Sequence, residues 1–327
     1  MATLLSGAAF GAAMLASGFH HPSVVISQLK FENWHMFQTF MTATAASAAI
    51  YTVAERLGYV NLKPRSNSPL GLFSKYDGNI VGGALLGAGM ALAGACPGTM
   101  LAQIGAGVRT GLFTLQGAVL GGIIWTGFLS KLVKRHKEKV GSKTDTSTLS
   151  EQLGLPRAAT LILFETACIA FVATTTLYTL PAPEPKIMGY VGGLLIGAAQ
   201  LISLLTRRSM MGISSSYEEI GKHFWWRLGG ADGNSKPGHG NIIFSAGVLG
   251  GAFGLAQLAP RLVGPPATEV SPVLAVIGGA LMIIGSRMAG GCTSGHGISG
   301  ISLLSTSSVI TIASTFAAGA AVAFSLA

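Results

Sequence analysis

Nine times along the chain the sequence runs for about twenty residues with almost no charge, the length a helix needs to cross the ~30 Å hydrocarbon core of a bilayer. The runs fall at about 2–19, 35–57, 79–95, 110–133, 157–181, 187–206, 241–260, 271–290 and 306–326. Only helices and closed barrels satisfy their own backbone in lipid, and these runs are apolar throughout instead of alternating, so they read as helices. Composition agrees: half of the 327 residues are apolar and only 10% are charged, against the roughly one quarter that an ordinary soluble domain carries. That deficit excludes a soluble enzyme. The 46 glycines follow no Gly-X-Y period, which excludes collagen, and the abundance of Leu, Ile, Val and Phe excludes disorder.

The expected fold is an all-α membrane protein of about nine transmembrane helices plus short re-entrant helices. It forms one integral domain over residues 1–327. The N-terminal MATLLSGAAFGAAMLASGF has no basic leading region and no cleavage site, so it reads as the first span. Two stretches are expected outside the membrane: Lys134 to Leu155, and Tyr217 to His239 with its Trp225-Trp226 pair and Gly-rich tail.

Nine spans put the termini on opposite sides, and short-loop Lys and Arg decide which is inside. With the N-terminus inside, the inner loops collect Arg56, Lys63, Arg65, Lys75, six basic residues from Lys131 to Lys143, Arg157, Arg207, Arg208, Lys222, Arg227 and Lys236. The outer loops collect only Lys30, Arg109, Lys186 and Arg261. The net charge of +9 therefore follows topology, and nucleic acid is not needed to explain it. The expected location is the plasma or inner membrane, multi-pass, with a cytoplasmic N-terminus.

Sliding the chain against itself aligns residues 82–99, GGALLGAGMALAGACPGT, with residues 278–295, GGALMIIGSRMAGGCTSG, without gaps and with eight identities. Cys96 and Cys292 become equivalent positions. A weaker match pairs Gly7, Gly11, Ala12 and Ala13 with Gly193, Gly197, Ala198 and Ala199. In the expected topology one cysteine ends an outward span and the other an inward span, so the halves, about 1–133 and 187–327, form an inverted pseudo-twofold repeat joined by a cytoplasmic loop and a linking helix. Folds of that kind bind their substrate near the midplane, where helices break.

After each cysteine comes a segment too short to cross alone, MLAQIGAGVRTG and HGISGISLLS, read as a re-entrant half-helix whose free N–H groups and dipole favour an anion. Pro97 fits the first turn of one such helix, and Thr293 and Ser294 are expected to cap the other with their hydroxyls. Gly98 and its neighbours let backbone approach closely. A thiol offers a weak donor and a polarizable sulfur, suited to holding and releasing a soft anion. Cys168, mid-span with no motif, reads as a core hydrophobe. Arg287, one turn before Cys292, either adds positive potential or snorkels to the interface. His296, four residues after Cys292, either joins the site or bonds locally. Glu165 reads as a structural partner or a proton-linked group. His20, His21 and Pro22 break the chain after the first span, and SMMGISSSY at 209–217 stands at the corresponding break after the sixth. Three cysteines make no disulfide framework, and no spacing suggests a metal or cofactor.

GACPGT at 94–99 and RMAGGCTSGHGISG at 287–300 resemble the two signature motifs of the YeeE/YedE family of sulfur-transport membrane proteins. The resemblance implies thiosulfate uptake along a narrow central path, with Cys96 as the outer relay thiol and Cys292 as the inner one. It also implies a separate cytoplasmic sulfur-carrier partner, and no enzyme. One departure stands out: where thiosulfate-importing members carry a further cysteine near the first helix break, this chain has GFHHPSVVIS at 18–27. A transporter or channel for a small sulfur anion, a channel for another small solute, and a membrane sulfurtransferase working through a cysteine persulfide all remain open on sequence.

Overall fold

A computed structural model of the chain describes residues 1–229, 236–265 and 267–326. Among these residues are fourteen α-helices and no strand beyond one isolated bridge, Thr148 with Ser305. In order they are α1 (Ala2–Ala16), α2 (Pro22–Leu29), α3 (His35–Arg56), α4 (Asp77–Ala93), α5 (Thr99–Gly105), α6 (Arg109–Ile124), α7 (Ser130–Val140), α8 (Leu149–Leu153), α9 (Arg157–Tyr178), α10 (Gly189–Arg207), α11 (Ser214–Arg227), α12 (Gly240–Leu258), α13 (Pro272–Ala289) and α14 (Thr306–Ser325). A π-helical stretch, Trp125–Leu129, joins α6 to α7, and a second, Thr293–Gly300, follows α13.

Six helices are long and apolar enough to cross a membrane: the continuous Arg109–Val140, then α9, α10, α12, α13 and α14. The other three expected runs form α1, α3 and α4, which fall short of that length or hydropathy among the described residues. The protein is thus all-helical with several membrane-length helices.

Both stretches expected outside the membrane are partly helical. The basic run after Lys134 continues the α6 helix through α7 to Val140, because Lys, Arg and Glu are good helix formers and nothing breaks the chain before Gly141, which takes the left-handed conformation at φ +65°. The second stretch begins inside α11: Tyr217 is 1% exposed, and the Trp225 indole N–H donates to the Ile123 carbonyl at 3.0 Å. Residues 230–235 of its Gly-rich tail lie outside the described residues.

The packing order recurs along the chain. Helix α1 lies against α12 and α10, as α10 lies against α3 and α1; α4 lies against α13 and α14, as α13 lies against α4 and α6. The repeated glycines explain how α4 and α13 meet. A Cβ built on Gly82 would stand 2.6 Å from the Gly285 carbonyl oxygen, and one on Gly278 would stand 2.6 Å from that of Gly89. Position i of one helix touches j of the other, and j touches i. Without a hydrophobic force between helices in lipid, such close backbone approach supplies the packing energy.

The loops sort to two ends. At one end Arg157 pairs with Glu55 at 2.7 Å, the Tyr59 hydroxyl donates to the Leu205 carbonyl at 2.8 Å, and the Arg208 guanidinium stacks over Tyr59. At the other, the Arg109 N–H donates to Glu269, and the His20 and His21 rings share the Val263 carbonyl. Residues 57–76 lie across the first end. They are pinned there by the Asp77 carboxylate, which accepts the backbone N–H groups of Leu70, Leu72 and Phe73, and by the Ser68 hydroxyl, which donates to the Met288 carbonyl at 2.7 Å.

Candidate functional site

The two cysteines sit in matching breaks. Helix α4 ends at Gly94 in the left-handed conformation, φ +56°, two residues before Cys96; α13 ends at Gly290, φ +87°, two residues before Cys292. A side chain at either glycine would be strained. The first break keeps its backbone satisfied locally. The Cys96 N–H donates to the Thr99 hydroxyl at 2.5 Å, the Thr99 N–H donates to the Cys96 Sγ at 3.4 Å, and the Gln103 amide donates to the Gly94 carbonyl at 2.8 Å. Each bond replaces one that water would supply outside the membrane.

At the second break the Cys292 Sγ lies 3.3 Å from the Ser294 hydroxyl, with the Gly295 and Ile213 N–H groups and the Ser214 hydroxyl around it. Both thiols are free and buried, Cys96 7% exposed and Cys292 1%. Tyr217 lies close enough to both sulfurs to interact electrostatically with each, and its hydroxyl donates to the Pro97 carbonyl at 3.1 Å. A third break adjoins the second: Ile213 and Ser214, beside the Cys292 sulfur, open α11 after α10, at a place corresponding in chain order to the His20-His21 turn that opens α2 after α1.

A cavity of about 30 Å³, room for about one water-sized group, joins the two cysteine breaks. Cys96, Gly98 and Thr99 line it from one break, Thr293, Ser294 and Ile298 from the other, and Met14, Met36 and aromatic rings close its sides. No Lys, Arg, Asp or Glu among the described residues lines it.

The expected site residues divide accordingly. Cys96, Gly98, Thr293 and Ser294 reach the cavity; Pro97 takes part through its carbonyl; Cys292 lies directly behind Thr293 and Ser294. The expected hydroxyl caps are not made: Cys292 itself holds the N-cap position, with no side-chain cap bond, and Ser294 turns to the sulfur. His296 is buried off the lining, one ring nitrogen 2.9 Å from the Ser308 hydroxyl and the other 3.1 Å from the Ala289 carbonyl. Arg287 pairs with Glu218, which also holds Lys222 at 2.6 Å, so its charge is offset by a carboxylate. Cys168 packs 3.9 Å from the Met41 sulfur on another face, and Glu165 Oε1 is buried with no hydrogen-bond partner among the described residues.

Sequence reasoning did not single out Tyr217 or Ile213 for the site. The only signal was the weaker repeat, which set residues 209–217 at a break.

Comparison with known proteins fixes the lineage. The profile described as sulphur transport matches residues 16–322. The chain belongs to the sulphur transport family. A further relative is the thiosulfate transporter TsuA of Spirochaeta thermophila, 25% identical over 93% of this chain and 92% of that one. Two proteins of Xylella fastidiosa titled probable transporter are 30% and 31% identical over 133 residues, 41% of this chain and 89% of each of theirs. A member of the sulphur transport family with six helices of membrane length is a multi-pass integral membrane protein.

Proposed function

We propose that this chain carries thiosulfate inward across the plasma membrane, passing it from Cys96 at the outer break to Cys292 at the inner break. The observation that carries the reading is the shared cavity: two equivalent helix breaks, each with a buried free thiol, meet at one uncharged passage. Thiols and hydroxyls bind an anion weakly enough to release it, where a lining cation would trap it. A passage this narrow admits a tetrahedral anion once its wall shifts. Met14 and Met36, unbranched and flexible, are the wall residues best able to move. Family membership and the likeness to a thiosulfate transporter support transport and this class of substrate.

The reading also takes nine membrane crossings, a cytoplasmic N-terminus, one domain over residues 1–327 and two halves of opposite sense. Supporting it are the recurrent packing order, the reciprocal glycine contacts of α4 and α13, and the gathering of Lys- and Arg-rich loops at one end. Thr293, Ser294, Pro97 and Gly98 shape the passage; His296 and Arg287 hold the Cys292 segment through its neighbours. A separate cytoplasmic sulfur-carrier protein would accept the product. The test is growth of cells lacking sulfate and thiosulfate uptake on thiosulfate as sole sulfur source. Rescue by this chain is expected, and no rescue overturns the reading.

A further inference from the structure

Arg65 reaches in from the stretch between α3 and α4 to lie under the Cys292 break. Its Nε donates to the Gly295 carbonyl at 2.7 Å and its Nη1 to the Gly290 carbonyl at 3.1 Å, so the guanidinium bridges both ends of the break. The backbone beneath it is anchored in turn: the Ser305 and Ser307 hydroxyls both donate to the Arg65 carbonyl at 3.0 Å. The slot is made of glycines. A Cβ on Gly291, Gly295 or Gly300 would come within 3.1, 3.0 or 3.2 Å of the arginine side chain.

Two features of this residue lack a structural explanation. It forms no ion pair among the described residues, whereas the neighbouring cation, Arg287, has Glu218. Its Nη2 donates to no protein acceptor among the described residues; it stands between Gly295 and the α10–α11 break, 4.0 Å from where a Cβ on Gly212 would be. That second break supplies the Ile213 N–H beside the Cys292 sulfur, and Arg65 lies within electrostatic range of that sulfur. A partly buried charge without a counter-charge is costly.

Resting on the proposed transport of a sulfur oxyanion, we infer that Arg65 is the receiving site beyond Cys292, its free Nη2 donors and uncompensated charge taking the sulfonate oxygens of the anion as it leaves the thiol. Guanidinium suits this place because its planar, fixed donors hold one carbonyl through Nε and another through Nη1 and still leave Nη2 to an oxyanion, which an ammonium point charge does not. It stands outside the uncharged cavity, so the anion meets a full positive charge only at the end of its path.

The experiment measures half-saturating thiosulfate in right-side-out and inside-out vesicles for the wild type, Arg65→Gln and Arg65→Lys. For Arg65→Gln the value is expected to rise about tenfold, the size of one charge-assisted hydrogen bond, from the face that carries Arg65, and to stay unchanged from the opposite face. Arg65→Lys, which keeps the charge and loses the fork, is expected to fall between the two on that face alone, and it carries the test if Arg65→Gln does not fold. An equal effect from both faces, or no effect on either, overturns the inference while leaving transport intact. Absence of uptake by the wild type overturns the transport reading and the inference with it.

Discussion

The Tyr217 hydroxyl donates to the Pro97 carbonyl at 3.1 Å, tying α11, late in the chain, to the break that carries Cys96. The tyrosine is 1% exposed and also lies within electrostatic range of both cysteine sulfurs. One side chain therefore links the break before α11 to the Cys96 break, far from it in sequence.

Removing that hydroxyl leaves the Pro97 carbonyl unsatisfied. Hydrogen bonds between membrane helices are worth about 0.6 kcal/mol on average and about 1.7 at most, so Tyr217→Phe is expected to fold with a slightly lowered melting temperature. Its thiosulfate uptake is expected to fall more than its stability, because the break loses its fixed position. Thermal melting in detergent and uptake of labelled thiosulfate check both.

Packing makes a paired prediction. A Cβ on Gly11 would stand 1.8 Å from the Val248 carbonyl oxygen, where α1 crosses α12, while Gly250, on the same partner helix, has nothing within 4 Å of its Cβ position. Gly11→Ala is expected to cost about 1–3 kcal/mol, the range for overpacking, and Gly250→Ala to be tolerated. Denaturation of the two purified variants compares them directly.

Much of this fold can be read locally. The Cys96 and Cys292 breaks are visible because Gly94 and Gly290 recur at the same offset in a repeated segment, and the repeated Gly82 and Gly278 are needed where α4 meets α13. What could not be read depends on partners distant in sequence. Arg65 counted only as a loop charge until the fold placed it under Gly290 and Gly295. Tyr217 began a polar stretch that looked solvent-exposed, since the burial of its first turn comes from α6 and the Cys96 break, not from its own neighbours. The capping expected of Thr293 and Ser294 failed because the segment winds as a π-helix and its N-cap position falls on Cys292, a geometry that leaves no mark in composition.

Orientation yields a labelling prediction. Lys143 and Lys186 are both exposed, one in the basic loop after α7 and the other just before α10. With a cytoplasmic N-terminus, a membrane-impermeant thiol reagent is expected to label Lys186→Cys in right-side-out vesicles and Lys143→Cys only in inside-out ones. The native cysteines, all buried, give low background. The reverse pattern contradicts the assigned sidedness.

Cys168 serves as the internal control, a buried thiol packed against Met41 and away from the cavity. Cys168→Ala is expected to leave uptake unchanged and to cost little stability, since alanine keeps most of a small apolar contact. Loss of uptake in this variant would show that burial of a thiol anywhere in the helices affects transport.

The central claim is that the anion passes both thiols at the two breaks. Initial rates of labelled thiosulfate uptake into proteoliposomes containing the wild type, Cys96→Ala or Cys292→Ala test it most directly, with folding confirmed by melting. The account predicts uptake by the wild type and a loss of at least about tenfold, one hydrogen bond to a charged group, in each variant. Wild-type rates in both folded variants would contradict it.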